Sequence, residues 1–229
     1  EAGYEVHPVE SQMVPDPEFT TVASPNPEYE SAFEEAKKLG ENIGADLLVA
    51  TDPDGDRLGV MAWHEGEYRF LTGNQTAAIF AEYILSHEKK KGHLTDKSVF
   101  FQTIVSSEFA ATIARAYGVD VQSTLTGFKF IGDQMNRQVE NGEKTFTMAY
   151  EESYGYILRE IVRDKDSLMP TLLITEIANV LKQDGRTLVD YLEGLYGKYG
   201  AFKDKLISIV LKGREGTETI QSIMPHFRG

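Results

Sequence analysis

Short apolar runs alternate with longer stretches of helical period along most of this chain. That alternation restricts the fold to the α/β class. ADLLVA (45–50), SVFFQTIV (98–105), VDVQSTL (119–125) and TFTMAYE (145–151) have the length and the β-branched and aromatic content of strands. Asn74 to Glu88, SSEFAATIARAYG (106–118), GFKFIGDQMNRQV (127–139) and the stretches around 168–182 and 187–196 read as helices. ADLLVA reads as a buried parallel strand. LGVMAW (58–63) and EYRFL (67–71) read as a hairpin around His64, Glu65 and Gly66. Residues 1–27 are loop-rich, with PDPEF and SPNPEY as turn signals. Asn26 reads as a helix cap with Pro27 at the first helical position, and Gly40 and Gly44 mark the end of that helix.

The acidic balance limits the partners. A net charge of −13 argues against nonspecific binding to nucleic acid or to an anionic membrane, because both are polyanions. It leaves room for a small anionic substrate held by a few local cations. The chain has no cysteine, which removes disulfide frameworks and thiolate metal sites and fits a reducing compartment. No apolar run reaches the length of a membrane span. The opening EAGYEVHPVE has neither an initiator methionine nor a signal-peptide pattern, and reads as the interior of something longer.

The most unusual chemistry lies in ATDPDGDRLGV (50–60), where Asp52, Asp54 and Asp56 alternate and Arg57 follows at once. Three carboxylates so close repel one another unless a cation neutralises them, and hard oxygen donors suit Mg²⁺ or Ca²⁺. An EF-hand is excluded: counting from Asp52, its required glycine would be Arg57 and its required glutamate Trp63. Arg57 beside a bare metal site is unfavourable, but a guanidinium grips phosphate oxygens. The constellation points to Mg²⁺ together with a phosphoryl group. A solvated acidic turn is the plainer reading.

The loop resembles the D-x-D-x-D-R metal-binding loop of the α-D-phosphohexomutase superfamily. Further segments resemble that family's patterns in the same order. They are Pro25-Asn26-Pro27-Glu28 before the loop, Thr126-Gly127-Phe128-Lys129-Phe130-Ile131-Gly132, Tyr150-Glu151-Glu152-Ser153-Tyr154-Gly155, and Arg163-Asp164-Lys165-Asp166-Ser167. The last two are similar to a sugar-recognition loop and to an RxKDG segment. The GEESYG-like form leans toward phosphoglucomutase and phosphopentomutase branches. Three positions depart from the pattern: Pro53 and Ser167 stand where a small residue or glycine is usual, and Tyr150 replaces the glycine before the Glu-Glu pair.

The resemblance implies two α/β domains of phosphohexomutase type, each a mixed sheet sandwiched by helices, the first incomplete. Residues 1–68 would be the end of domain 2 with the metal loop. Residues 69–200 would be domain 3 with the sugar loop, and 201–229, from KLISIVLKG onward, a linker and the start of domain 4. Domain 1, which carries the phosphorylated serine, and most of domain 4 would lie elsewhere, since neither a TASHNP-like nor an RxSGTEP-like motif occurs. Ser24 reads as a loop residue. The implied reaction moves a phosphoryl group between glucose 1-phosphate and glucose 6-phosphate through a phosphoserine and a bisphosphate. Mg²⁺ would be the cofactor and glucose 1,6-bisphosphate the activator, in the cytoplasm, and the piece alone would be inactive.

By the same resemblance Asp52, Asp54 and Asp56 would hold the metal and Arg57 the phosphoryl group. Glu151 and Ser153 would bind sugar hydroxyls, Thr126 and Gly127 would line the sugar's path, and Lys165 would do acid–base work. Glu151 is preferred to Glu152 because it shares a face with Ser153 in extended chain. Taken without the resemblance, Lys165 within RDKD reads as a salted surface loop. Mannose, glucosamine and pentose phosphates remain alternative substrates. A non-catalytic module binding a divalent cation or a sugar phosphate is an alternative of another class.

Overall fold

A computed structural model describes residues 2–205, 207, 211 and 213–228, so the KLISIVLKG run lies largely outside the described residues. Two sheets organise the chain. The first is antiparallel, in the order β1 (Leu47–Thr51), β2 (Leu58–His64), β3 (Glu67–Leu71). The second has the order β5 (Asp120–Thr124), β4 (Ser98–Thr103), β6 (Thr145–Glu151), β7 (Gly155–Ile157). In it β4 runs parallel to β5 and β6, and β7 runs antiparallel to β6.

The strand expectation for ADLLVA needs correction. β1 pairs antiparallel with β2, and its residues alternate between burial and exposure. A five-residue apolar run has too little pattern to tell a parallel buried strand from an antiparallel edge strand. The acidic loop therefore closes an antiparallel pair, Thr51 opposite Leu58, rather than leaving a parallel strand for a helix. The hairpin that follows is as expected: Glu65 and Gly66 both take positive φ, 49° and 94°, which matches the twist of the flanking strands.

The N-terminal helix begins later than its cap signal implies. Asn26 Oδ1 accepts the Glu28 N–H at 3.0 Å, which closes a turn. A 3₁₀ turn follows at Glu30–Phe33, and α1 occupies only Glu34–Ile43. Pro27 is buried because it packs on Gly59, where any Cβ would strike its carbonyl. Gly40 lies inside α1 against Tyr68, while Gly44 ends the helix in the left-handed region at φ 69°.

Helices α2 (Gly73–Lys90), α3 (Glu108–Ala116), α5 (Leu168–Gln183) and α6 (Leu188–Tyr199) share a core with Phe100, Met148, Tyr150 and Tyr156 of the second sheet. Leu58, Val60 and Ala62 of β2 enter the same core, so the two sheets are not separately packed. α4 (Phe128–Gln134) and the π turn Met135–Val139 cover the opposite face, burying Phe128, Ile131 and Met135 on Val99, Phe101 and Ala149. The 3₁₀ turn and α1 cover the outer face of the first sheet, where Phe33 packs with Leu48, Met61 and Tyr68. A seventh helix, α7, spans Gly213–Arg228. No helix among the described residues is long and apolar enough to cross a membrane.

Candidate active site

The acidic loop and the GEES-like loop meet because the first sheet is stitched to the second. Arg57 bridges Gly155, and the Leu58 N–H donates to Tyr154 O at 3.0 Å. Tyr154 sits at φ 64°, an unusual conformation for a bulky residue. Its buried ring packs against Phe70. Backbone strain of this kind collects at functional sites.

Within the acidic loop, ligand oxygens of Asp52, Asp54 and Asp56 lie within 4.8 Å of one another. Asp52 Oδ1 accepts the N–H groups of Asp56 and Arg57 at 3.1 and 3.0 Å, which folds the loop around that carboxylate. Burial opposes ionisation of Asp52, yet those N–H groups and the flanking carboxyls hold its pKa below the usual value. Asp56 goes the other way. Burial and then the Asp52 carboxyl push it up, against the opposing charge of Lys165. Asp56 Oδ1 is buried without a hydrogen-bond partner. A divalent cation would satisfy that oxygen and relieve the repulsion, so the donor set fits the metal that the sequence implies.

Arg57 is held by Glu28, a residue given no role of its own in the sequence. Its Nη1 donates to Glu28 Oε1 at 2.5 Å. Its Nε lies 3.3 Å from Asp52 Oδ2 and 3.8 Å from Asp56 Oδ1. Those are charge contacts only, because their alignment leaves Nε without a hydrogen bond. Glu28 is visible in the sequence as the last residue of Pro25-Asn26-Pro27-Glu28, but its partner lies 29 residues away.

Lys165 joins the two loops. Its Nζ is 3.4 Å from Asp56 Oδ2 and 3.3 Å from Glu151 Oε1, and its side chain is only 11% exposed. Ser153 Oγ donates to the same Glu151 oxygen at 2.5 Å, while Glu151 Oε2 is buried and unpartnered. One oxygen of Glu151 is thus engaged and the other is free to accept from a hydroxyl. Glu152 points elsewhere: its Oε2 accepts from Thr103 Oγ1 at 2.8 Å and Ser106 Oγ at 3.3 Å. Tyr150 turns fully into the core, its hydroxyl 3.0 Å from Ser107 O. Gly155 has no room for a Cβ, which would strike the Lys165 stem.

Thr126 and Gly127 form the turn into α4, with Gly127 at φ 114° and its carbonyl accepting from Phe130. Among the described hydrogen bonds neither touches the Asp–Lys–Glu cluster. The structure therefore brings together Asp52, Asp54, Asp56, Arg57, Glu151, Ser153 and Lys165, and leaves Thr126 and Gly127 outside direct contact.

Residues 1–65 match the family model for phosphoglucomutase/phosphomannomutase alpha/beta/alpha domain II, and residues 72–199 match domain III. A phosphoglucomutase of Staphylococcus aureus (strain MRSA252) is 41% identical over 221 residues, covering 96% of this chain and 39% of the relative. The chain thus spans about two fifths of the length of the curated relatives it matches. Among solved structures, a phosphomannomutase-like protein of Thermus thermophilus shares the fold with a TM-score of 0.63 at 22% identity, over 81% of this chain and 38% of its own. The phosphoglucomutase parafusin of Paramecium, in its open form, gives 0.59 at 20%, over 82% and 31%. The chain belongs to the phosphoglucomutase/phosphomannomutase family.

Proposed function

We propose that this chain is the central part of a Mg²⁺-dependent phosphoglucomutase. The parent protein interconverts glucose 1-phosphate and glucose 6-phosphate through a phosphoserine carried elsewhere, with glucose 1,6-bisphosphate as activator, in the cytoplasm. In this reading the chain carries two successive domains, with the expected boundary at 68/69 moved to the end of β3 because Arg69, Phe70 and Leu71 pair with β2, and 201–229 leads into a further one. The chain alone does not turn over.

The observation that carries the reading is the position of Lys165, shared between a carboxylate of the acidic loop and one of the sugar loop. Asp52, Asp54 and Asp56 would hold Mg²⁺. When bound, the ion neutralises charge on the transferring phosphoryl group. Arg57, fixed by Glu28, presents its guanidinium to phosphoryl oxygens. Glu151 accepts from a sugar hydroxyl through its free oxygen, and Ser153 orients that carboxylate. Lys165 exchanges a proton with the hydroxyl that attacks or leaves, its Nζ held between the two flanking carboxylates. Thr126 and Gly127 line the sugar's approach.

The test is steady-state conversion of glucose 1-phosphate by the full-length protein carrying this segment. Lys165→Met should lower kcat by about 10²- to 10⁴-fold, the usual yield of a positioned acid–base group. Unchanged kcat would contradict the assignment.

A further inference from the structure

Ser167 precedes α5 and its carbonyl accepts the first helical N–H, from Thr171 at 3.0 Å, yet its side chain does none of the work of a helix cap. A serine there ordinarily accepts an N–H from the first helical turn. Here its side chain makes no such bond. The N–H groups of Leu168 and Met169 go instead to Asp166, at 2.8 Å to Oδ1 and 3.4 Å to Oδ2. The Ser167 hydroxyl is turned out of its own helix and donates to Gly55 O at 2.7 Å. The Ser167 N–H donates to the same carbonyl at 3.1 Å. The residue is 2% exposed, so water does not compete for these bonds.

The acceptor lies at the turn of the acidic loop. Gly55 stands between Asp54 and Asp56, in the left-handed region at φ 70°, and its N–H donates to Asp52 O at 3.1 Å. That conformation aims its carbonyl outward, where both donors of Ser167 grip it. The peptide that follows carries the Asp56 N–H, which closes on Asp52 Oδ1. Fixing the Gly55 carbonyl therefore fixes the plane of the peptide on which the carboxylate cluster is built.

We propose that Ser167 is a positioning residue that locks the acidic loop for cation binding and ties it to the segment bearing Lys165. The two-donor grip on Gly55 sets the spacing of Asp52, Asp54 and Asp56 before a cation arrives. Because Lys165 is two residues upstream, the same tether holds its Nζ in register with Asp56. Ser167 stands where the pattern that this segment resembles carries glycine, which could offer only the N–H. The proposal rests on the metal reading of the loop.

The test compares this chain with its Ser167→Ala and Ser167→Gly variants by two readouts. One is Mn²⁺ affinity by electron paramagnetic resonance. The other is amide hydrogen exchange at Asp56 and Arg57, with the β4 amides as a monitor of the whole fold. Loss of an outer-shell hydrogen bond should weaken Mn²⁺ binding by about 10-fold. Exchange at Asp56 and Arg57 should quicken about as much, with β4 and the first turn of α5 unchanged. Equal exchange in variant and parent would overturn the proposal, as would acceleration spread evenly into β4, the mark of a merely structural role. A parent chain that does not bind Mn²⁺ would sink the metal reading instead, and the exchange comparison alone would then decide the tether.

Discussion

At the scale of single residues, the site is a set of charges that need one another. Lys165 is almost enclosed by Asp56 and Glu151. Removing one partner of a buried ion pair leaves an uncompensated charge and costs about 3–5 kcal/mol in typical cases. Lys165→Met should therefore destabilise the chain by an amount of that order. Because the stranded charge includes Asp56, Mg²⁺ should recover part of the loss. Urea unfolding with and without Mg²⁺ checks both statements, and a variant as stable as its parent would contradict them. The Glu28–Arg57 pair is tested by a double-mutant cycle, Glu28→Gln with Arg57→Met. A coupling of about 1–3 kcal/mol is expected for two groups in direct contact. Coupling near zero would mean that Glu28 does not position Arg57.

At the scale of elements, loops are held by the ends of neighbouring helices and strands. The N-terminus of α2 packs so closely on the GEES-like loop that a Cβ on Gly73 would collide with Glu152 O, a backbone atom that cannot swing away. Gly73→Ala should cost about 1–3 kcal/mol, the range for overpacking, and should disturb Glu152 and Tyr154 before any other residues. Denaturant unfolding with ¹⁵N chemical shifts reads both effects. α6 begins with a capping box, in which Thr187 Oγ1 accepts the Asp190 N–H at 3.2 Å and Asp190 Oδ2 accepts the Thr187 N–H at 2.7 Å. The Thr187 N–H and hydroxyl hold the Asp190 pKa below its usual value. That stabilisation is present above the ordinary aspartate pKa and is lost as pH falls through the lowered one. Thr187→Ala should remove about 1 kcal/mol near neutral pH. It should also leave the remaining stability less sensitive to acid, which denaturation at stepped pH would reveal.

Element types were largely legible in the sequence, because helical period and β-branched runs are local signals. The hairpin shows why: Leu58, Val60 and Ala62 alternate toward the core, and Glu65-Gly66 supplies the turn. Partners were less legible. ADLLVA held no sign of the strand it would pair with, and β7, only three residues, offered no period at all. The acidic loop was legible as a cluster because its carboxylates are close in sequence. Glu28, Ser167 and the diversion of Glu152 onto Thr103 and Ser106 were not, since each depends on a contact between segments far apart in the chain.

At the scale of the molecule, one core serves both sheets and a smaller one lies on the outer face of the first, and tyrosines in and around both titrate with the fold. Burial is the leading cause that raises the pKa of Tyr68, Tyr83, Tyr117, Tyr150, Tyr154, Tyr156, Tyr191 and Tyr199, with Tyr83 lifted to about 12. Above the ordinary tyrosine pKa of about 10 the unfolded chain releases protons that the folded chain keeps. Stability should therefore hold below that pH and fall as pH rises through the raised values. Absorbance at 295 nm should show most tyrosines ionising together as the fold opens. Independent titration of the fully enclosed Tyr150 and Tyr156 in the native state would contradict the packing described.

The proposed function depends on Asp52, Asp54 and Asp56 holding a divalent cation jointly with a phosphoryl group presented beside Arg57 and Lys165. The decisive measurement is isothermal titration of Mg²⁺ into this chain, alone and with saturating glucose 1,6-bisphosphate. Binding should be weak alone and markedly tighter with the bisphosphate, the gain abolished by Arg57→Met. Equal affinity with and without the bisphosphate would refute joint binding and leave the loop a plain cation site.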